Sequence, residues 1–337
     1  MRPKILIDDN IPYINGRLEP VADVTYVDQF GFTPENVKDA DALIIRTRTL
    51  CNRELLEGSN VKIIATATIG TDQIDIPWCE ANGIKVANSP GCNAPAVAQY
   101  VWASLLREGF DPATGKLGVV GCGNVGSIVA EWGRMLGAKV IVNDPPRMES
   151  GIADDYASLK EIMRECDAVT LHTPLIRDGR HPSFHLISGK EVAAMKRGAI
   201  LVNAARGAVL DTQTALPYVQ DREIRAVIDT WEGEPDLNLD LLRHADIATF
   251  HIAGYSRQGK ERATRMVLEE MEKFFGFEVD KSGLAPAYVY PEKITAEEIV
   301  DSYDPSVDTD ALLSAPENFD LLRRNYDYRE ECVFNSL

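Results

Sequence analysis

The stretch Val119-Val-Gly-Cys-Gly-Asn-Val-Gly126, running on to Val140-Ile-Val-Asn-Asp144, decides the fold. An apolar run from Leu117 to Val120 leads into Gly121, Gly123 and Gly126, and residues 125–136 then carry apolar side chains at helical spacing. Strand, glycine turn, helix and strand in that order read as one βαβ unit. The first glycine permits the tight turn, the second lets backbone approach a pyrophosphate, and the third lets helix pack closely on strand. Asn124 and Val125 open the helix, whose N-terminus offers N–H groups and the positive end of a dipole to phosphate oxygens. Asp144 lies 23 residues beyond Gly121, close to the spacing at which a carboxylate meets a ribose hydroxyl. Three glycines alone would suit any turn in an α/β domain. The strand before them, the helix after them and the acid closing the next strand select a dinucleotide site.

The first ninety residues alternate short apolar strands, expected at 4–7, 24–27, 42–46, 62–67 and 84–87, with helical segments at 34–39 and 72–82. Such alternation implies a parallel sheet covered by helices. This unit lacks the glycine fingerprint, so the dinucleotide domain sits mid-chain, inserted into another domain. Residues 94–107 form a helix that is apolar around most of its circumference, as suits a helix buried between two domains or any core helix. Beyond the fingerprint the alternation resumes, with strands expected at 168–171, 199–203, 226–229 and 247–250 and helices at 158–166, 189–196 and 211–220. A long helix over 256–276 returns the chain to the first domain. The fold is therefore read as α/β. A doubly wound parallel-sheet (Rossmann) domain over 93–253 interrupts a flavodoxin-like substrate domain made of 1–92 and 254–280. A small, proline-broken α+β region occupies 281–337.

The chain has 337 residues, more than one typical domain, with 45% hydrophobic and 26% charged residues, an ordinary soluble composition. A net charge of −17 argues against nucleic acid or an anionic membrane as partner. An anionic substrate must then meet a local basic pocket. The six cysteines form no Cys-x-x-Cys pair, so neither a metal site nor a disulfide framework is expected, and free thiols point to a reducing, cytoplasmic setting. Met1-Arg-Pro-Lys4 runs straight into the first strand, so no signal peptide is expected, and no apolar run approaches membrane-spanning length.

Ligands of doubly wound sheets bind beyond the carboxyl ends of the strands. The residues just past those ends are Thr173-Pro174, Ala204-Ala205-Arg206-Gly207, Asp229 and His251. An arginine fork matches a carboxylate and stays charged. A histidine titrates near neutrality and can take or return a proton, and a nearby carboxylate such as Glu234 fixes its tautomer. Alone, a histidine after a strand or an arginine before a glycine has a dull explanation. Together at the ligand-facing edge, Arg206, Glu234 and His251 supply what oxidation of a hydroxy acid requires: a cation for the acid and C2 oxygen, and a base for the hydroxyl proton.

Asn203-Ala-Ala-Arg-Gly-Ala-Val-Leu-Asp211, Asp229-Thr-Trp-Glu-Gly-Glu-Pro235 and His251-Ile-Ala-Gly254 resemble the signature of the D-isomer-specific 2-hydroxyacid dehydrogenases. Further stretches narrow the resemblance to a member acting on a phosphorylated 2-hydroxy acid: Asp8-Asp-Asn-Ile-Pro-Tyr13, Thr66-Ala-Thr-Ile-Gly-Thr-Asp72, Ser89-Pro-Gly-Cys-Asn93, Asp144-Pro-Pro-Arg147, His172-Thr-Pro-Leu175, His251-Ile-Ala-Gly-Tyr255 and Glu317-Asn-Phe-Asp-Leu-Leu-Arg-Arg-Asn-Tyr326. The resemblance implies Arg206, Glu234 and His251 as the catalytic set. It implies NAD contacts at Asp144, Thr173, Ala204, Asp229 and Gly254 beside the glycine turn, and substrate contacts at Thr47, Thr68 and Tyr255. Backbone N–H groups of 66–72 could cradle the substrate carboxylate. Arg46 and Arg48 flank Thr47, either as a cationic corner for a phosphate or as a solvated strand end. Asp144 favours NAD over NADP, because it bonds the ribose hydroxyls and would repel a 2′-phosphate, although Arg147 stands nearby.

The family member it resembles carries a longer C-terminal domain that forms a homodimer, and 280–315 here is compressed. A homodimer through the tail is expected, with Tyr288, Tyr290 and Leu312 as apolar residues needing a partner surface. Arg323, Arg324 and Arg329 read as surface charges, or as side chains reaching a neighbouring active site. Two other readings stay open: another 2-hydroxyacid dehydrogenase of the 3-phosphoglycerate or glyoxylate type, and a non-catalytic NAD-sensing binding protein on the same scaffold.

Overall fold

The computed structural model describes residues 2–28, 30–151 and 156–334. They fall into two compact units: one combines residues up to Asn93 with Ser256–Val289, the other combines Ala94–Tyr255 with the residues from Tyr290 onward.

In the first unit, β1 (Lys4–Asp8), β2 (Asp23–Val27), β3 (Ala42–Ile45), β4 (Ile63–Thr66) and β5 (Lys85–Ala87) form an all-parallel sheet in the order β2-β1-β3-β4-β5, the flavodoxin-like winding. Strand side chains alternate between the two faces. Ile5, Ile7, Ala42, Ile44, Ile63 and Ala65 enter one core together with Val267, Leu268 and Met271 of the helix Arg257–Phe275. Leu6, Leu43, Ile45 and Ile64 enter a second core with Val37, Leu55, Leu56 and Cys79. Burial on both faces is why these strands read as continuous apolar runs.

In the second unit, β6 (Lys116–Val120), β7 (Lys139–Asn143), β8 (Ala168–Leu171), β9 (Ile200–Asn203), β10 (Arg225–Ile228) and β11 (Ile247–Ala248) pair in parallel in the order β11-β10-β9-β8-β6-β7. A parallel bridge from Val142 to Tyr156 continues the sheet one position beyond β7. The order reverses between β6 and β8, so the glycine turn after β6 stands at the topological switch point.

Several elements depart from the sequence expectation. The helix expected at 72–82 is confined to Ile76–Ala81, because the Asp75 carboxylate caps it by accepting from the Trp78 N–H and Pro77 sits in its first turn. The last strand covers only Ile247–Ala248, and His251 beyond it takes a left-handed backbone, φ 59°. The helices Arg53–Leu56, Pro145–Glu149 and Leu239–His244 are too short to show a period, and each starts on an Asn or Asp cap.

The C-terminal region was expected to mix helix and strand. Its described residues instead hold the helices Ala296–Ser302, Pro305–Ser314 and Phe319–Arg324, with a 3-10 turn at Pro316–Asn318 and no named strand. Of the prolines that suggest breaks, Pro305 and Pro316 occupy first turns, where a missing N–H costs nothing, while Pro286 and Pro291 lie in the irregular stretch before the helices. Leu312 is fully buried in the core of the second unit, packed with Phe319, so it is not among the apolar residues left for a partner. No helix among the described residues is long and apolar enough to cross a membrane.

Candidate active site

The glycine turn has the geometry its sequence requires. Gly121 has φ 88°, and a Cβ there would stand 2.8 Å from the His172 carbonyl carbon. At Gly126 a Cβ would lie 1.9 Å from the Gly121 carbonyl oxygen, so only glycine lets the helix Asn124–Met135 sit this close. Nothing lies within 4 Å of a Cβ built at Gly123, and no side chain caps the helix there. Its N-terminal N–H groups therefore remain available to an anion. The Asp144 carboxylate, at the end of β7, accepts the Cys122 N–H at 2.8 Å and the Arg147 N–H at 3.1 Å. The Arg147 guanidinium donates to the Cys122 carbonyl, so the acid, the arginine and the glycine turn are tied together.

After β8, the His172 Nε2 meets the Thr170 hydroxyl at 2.9 Å. Its Nδ1 and the Thr173 hydroxyl are buried without a hydrogen-bond partner. Burial pushes the His172 imidazole down to about 3, so it is neutral at working pH.

After β9 comes the arginine turn. Asn203, almost fully buried, donates through Nδ2 to the carbonyls of Arg206 (3.2 Å) and Gly207 (3.3 Å) and accepts the Ala205 N–H at 3.3 Å. A Cβ at Gly207 would stand 2.0 Å from the Trp231 carbonyl carbon and 2.3 Å from the Glu232 nitrogen. Glycine thus lets the Arg206 turn lie backbone to backbone on the segment that leads to Glu234. Arg206 itself is half-buried and donates to the Ala205 carbonyl at 2.8 Å.

The histidine pair is direct. His251 Nδ1 lies 2.5 Å from Glu234 Oε1, and Glu234 Oε2 accepts the Trp231 N–H at 3.1 Å. Burial works to raise the Glu234 carboxyl. The hydrogen bond and charge of His251, the Trp231 N–H and the Arg323 charge outweigh it and hold the group below the usual carboxylate range. An ionised Glu234 accepts from Nδ1–H, which leaves Nε2 as the nitrogen able to take a proton.

Asp229, expected as a cofactor contact, is buried and turned into the loop after β11. One oxygen accepts the Thr249 hydroxyl (2.7 Å) and the N–H groups of Ile252 (2.8 Å) and Ala253 (3.0 Å). The other accepts the Ala253 N–H at 3.1 Å. Ala204 and Gly254 are half-buried at the ends of the turns that carry Arg206 and His251. The Tyr255 ring stands edge-on to Tyr326 and Tyr328, with the Arg323 guanidinium 5.6 Å from its centre.

Thr47 and Thr68 belong to the first unit, just past β3 and β4. Thr47 is exposed. The Thr68 hydroxyl shares a 2.7 Å contact with that of Thr66 and donates to the Gly70 carbonyl at 2.9 Å. Arg46 donates to the Asn10 carbonyl at 3.0 Å.

Residues 94–266 match the model of the D-isomer specific 2-hydroxyacid dehydrogenase NAD-binding domain. The chain is 45% identical to an erythronate-4-phosphate dehydrogenase of Bacteroides fragilis, over 97% of each chain. A relative of the same name from Escherichia coli K12 is 40% identical, over 97% of this chain and 92% of its own. The chain belongs to the D-isomer specific 2-hydroxyacid dehydrogenase family. Solved structures share the fold: the Aquifex aeolicus D-lactate dehydrogenase complexed with NAD and lactic acid has a TM-score of 0.68 at 24% identity over 81% of this chain and 95% of that one. The NAD+-bound 3-phosphoglycerate dehydrogenase of Entamoeba histolytica gives 0.69 at 23%, over 86% of this chain and all of the other.

This 2-hydroxyacid dehydrogenase uses NAD, and its residues fit that cofactor. The open face at Gly123, the uncapped helix start, the accepting carboxylate of Asp144 at the strand end and the unpartnered hydroxyl of Thr173 are the hydrogen-bonding groups and space a dinucleotide requires. Sequence reasoning did not find Asn203 as the brace of the arginine turn, although its place at the end of a strand inside the quoted signature was a usable signal. It read Arg323 only as a surface charge or a side chain reaching a neighbouring active site, not as the charge near Glu234 and Tyr255 of its own chain, because a tail arginine carries no local sign of where it packs.

Proposed function

We propose that this enzyme oxidises 4-phospho-D-erythronate to 2-oxo-3-hydroxy-4-phosphobutanoate, a step of pyridoxal phosphate (vitamin B6) synthesis. The relatives' name supports the substrate, and the 2.5 Å His251–Glu234 pair carries the chemistry. Arg206 holds the substrate carboxylate and polarises the C2 oxygen, since its fork matches a planar anion. His251 accepts the hydroxyl proton on Nε2, with Nδ1–H fixed by Glu234, whose negative charge stabilises the imidazolium that results. The glycine turn, Asp144 and Thr173 would hold NAD, which would supply the acceptor for the C2 hydride. Thr47, Thr68 and Tyr255 are the proposed substrate contacts.

Turnover with 4-phosphoerythronate, 3-phosphoglycerate and D-lactate, followed as NADH release, tests the substrate. The first should exceed the others by at least about a hundredfold in kcat/KM, and equal use of 3-phosphoglycerate would favour that alternative. His251→Asn should abolish turnover while NADH binding stays nearly intact. Undiminished turnover would remove His251 as proton carrier, and a wild-type chain that binds NADH yet turns over none of the acids would support a binding protein. We also propose a homodimer in the cytoplasm: Val300, Val307, Leu313 and Leu321 of the C-terminal helices are exposed apolar residues that a second copy could cover.

A further inference from the structure

The loop His251–Tyr255 carries two residues of the proposed site, and His251 holds a left-handed backbone with φ 59°. A non-glycine residue keeps such a conformation only where its surroundings over-determine it. Here the N–H groups of Ile252 and Ala253 are taken by the buried Asp229 carboxylate. The carbonyls of the same loop are taken from the C-terminal tail. Arg329 Nη1 donates to the carbonyls of Ile252 (2.9 Å) and Tyr255 (3.1 Å), and Nη2 donates to the Ala253 carbonyl. Nη2 also reaches the Ala96 carbonyl at 3.0 Å, and Nε reaches Gln99 Oε1 at 3.3 Å, both on the helix Ala94–Arg107.

The guanidinium lies 4.4 Å from the Tyr303 ring centre, and the Tyr303 hydroxyl donates to Asp308 at 2.7 Å. Its fork is thus committed on both edges and covered on one face. Only a planar group with five donors can hold this set of acceptors. A surface role for Arg329 does not fit this geometry.

We propose that Arg329 is a positioning residue for catalysis: with Asp229 on the other side, it fixes the loop that sets His251 against Glu234 and presents Tyr255. The C-terminal tail then serves its own chain's active site, apart from any part it has in assembly. The proposal rests on His251 as the proton carrier, and its test separates the two.

Arg329→Ala and Arg329→Lys are compared with wild type and His251→Asn for kcat, KM for each substrate, NADH affinity by fluorescence, and melting temperature. Misplacing a catalytic group by about 1 Å can cost on the order of a hundredfold. Arg329→Ala should therefore lose about tenfold or more in kcat with NADH affinity within about twofold of wild type. Millimolar guanidinium chloride, too dilute to denature, should restore part of the loss in Arg329→Ala and none in His251→Asn. Arg329→Lys keeps the charge without the fork and should lose about fivefold or more. Where the alanine variant fails to fold, the lysine variant decides.

Wild-type kcat in a folded Arg329 variant, or a loss that guanidinium never restores and that tracks melting temperature alone, overturns the proposal. Wild-type turnover in His251→Asn would instead overturn the reading it rests on.

Discussion

Glu234 and His251 stand 17 residues apart in sequence yet share a 2.5 Å contact, and that contact fixes which nitrogen can work. The other histidine of the cofactor turn, His172, is held neutral for a different reason. Burial pushes it from 6.5 to about 3, so between those values the unfolded chain binds a proton that the folded chain refuses. Stability then falls as pH drops from 6.5 toward 3, by about 1.4 kcal/mol per pH unit for this one group, and above 6.5 the group contributes nothing. His172→Gln, which does not titrate, should flatten the pH dependence of the urea midpoint over that range by about one proton's worth. Identical slopes in variant and wild type would show that the ring protonates freely in the fold. At the glycine turn the constraint is steric. With 1.9 Å between a Cβ at residue 126 and the Gly121 oxygen, Gly126→Ala must push the helix off the sheet. It should cost several kcal/mol of stability, of the order seen for overpacking, and weaken NADH binding at least about tenfold.

Among the elements, the helix Pro145–Glu149 and the glycine turn are joined through Asp144, whose two oxygens accept N–H groups from each. Arg147 is spent on the Cys122 carbonyl, which answers the caution its position raised. With the carboxylate at the strand end and the arginine tied to the turn, NAD should be preferred over NADP by at least about tenfold in kcat/KM, and equal use of the two would remove the Asp144 argument. This βαβ unit was legible in sequence because its signals are local: Gly121, Gly126 and Asp144 each answer a constraint set by near neighbours. The strands were legible too, since apolar runs such as Ala42–Ile45 reflect burial on both faces. The pairing of Glu234 with His251 was legible only as a spacing along one sheet edge. Asn203 as a brace and Asp229 as a loop anchor were not, because a buried polar side chain declares its partners only when distant backbone arrives beside it. The tail was the least legible part. Its helices are short, their prolines mark starts rather than breaks, and Leu312 looked exposed because nothing nearby in sequence covers it.

At the scale of the whole molecule, the tail has two claims on its surface. One side is spent inward: Leu312 and Phe319 join the core of the second unit, and Arg329 grips the loop that carries His251. Outward, Val300, Val307, Leu313 and Leu321 remain exposed at 47%, 66%, 43% and 51%. Burying three or four such side chains per subunit is worth about 1.5–3 kcal/mol each before the cost of association, enough for a stable pair only if they meet as one patch across a two-fold axis. The net charge of −17 opposes any pairing that is not apolar at its centre. Light scattering at micromolar concentration should therefore give a dimer, and Val307→Glu or Leu321→Glu should shift it toward monomer. Those two residues are exposed, so their replacement should leave the melting temperature of the monomer nearly unchanged. A wild-type monomer at that concentration would remove the dimer. A dimer undisturbed by either substitution would move the interface off these helices. Because Arg329 acts within its own chain, a monomeric Val307→Glu variant should keep most of its kcat, whereas Arg329→Ala should lose kcat without changing mass.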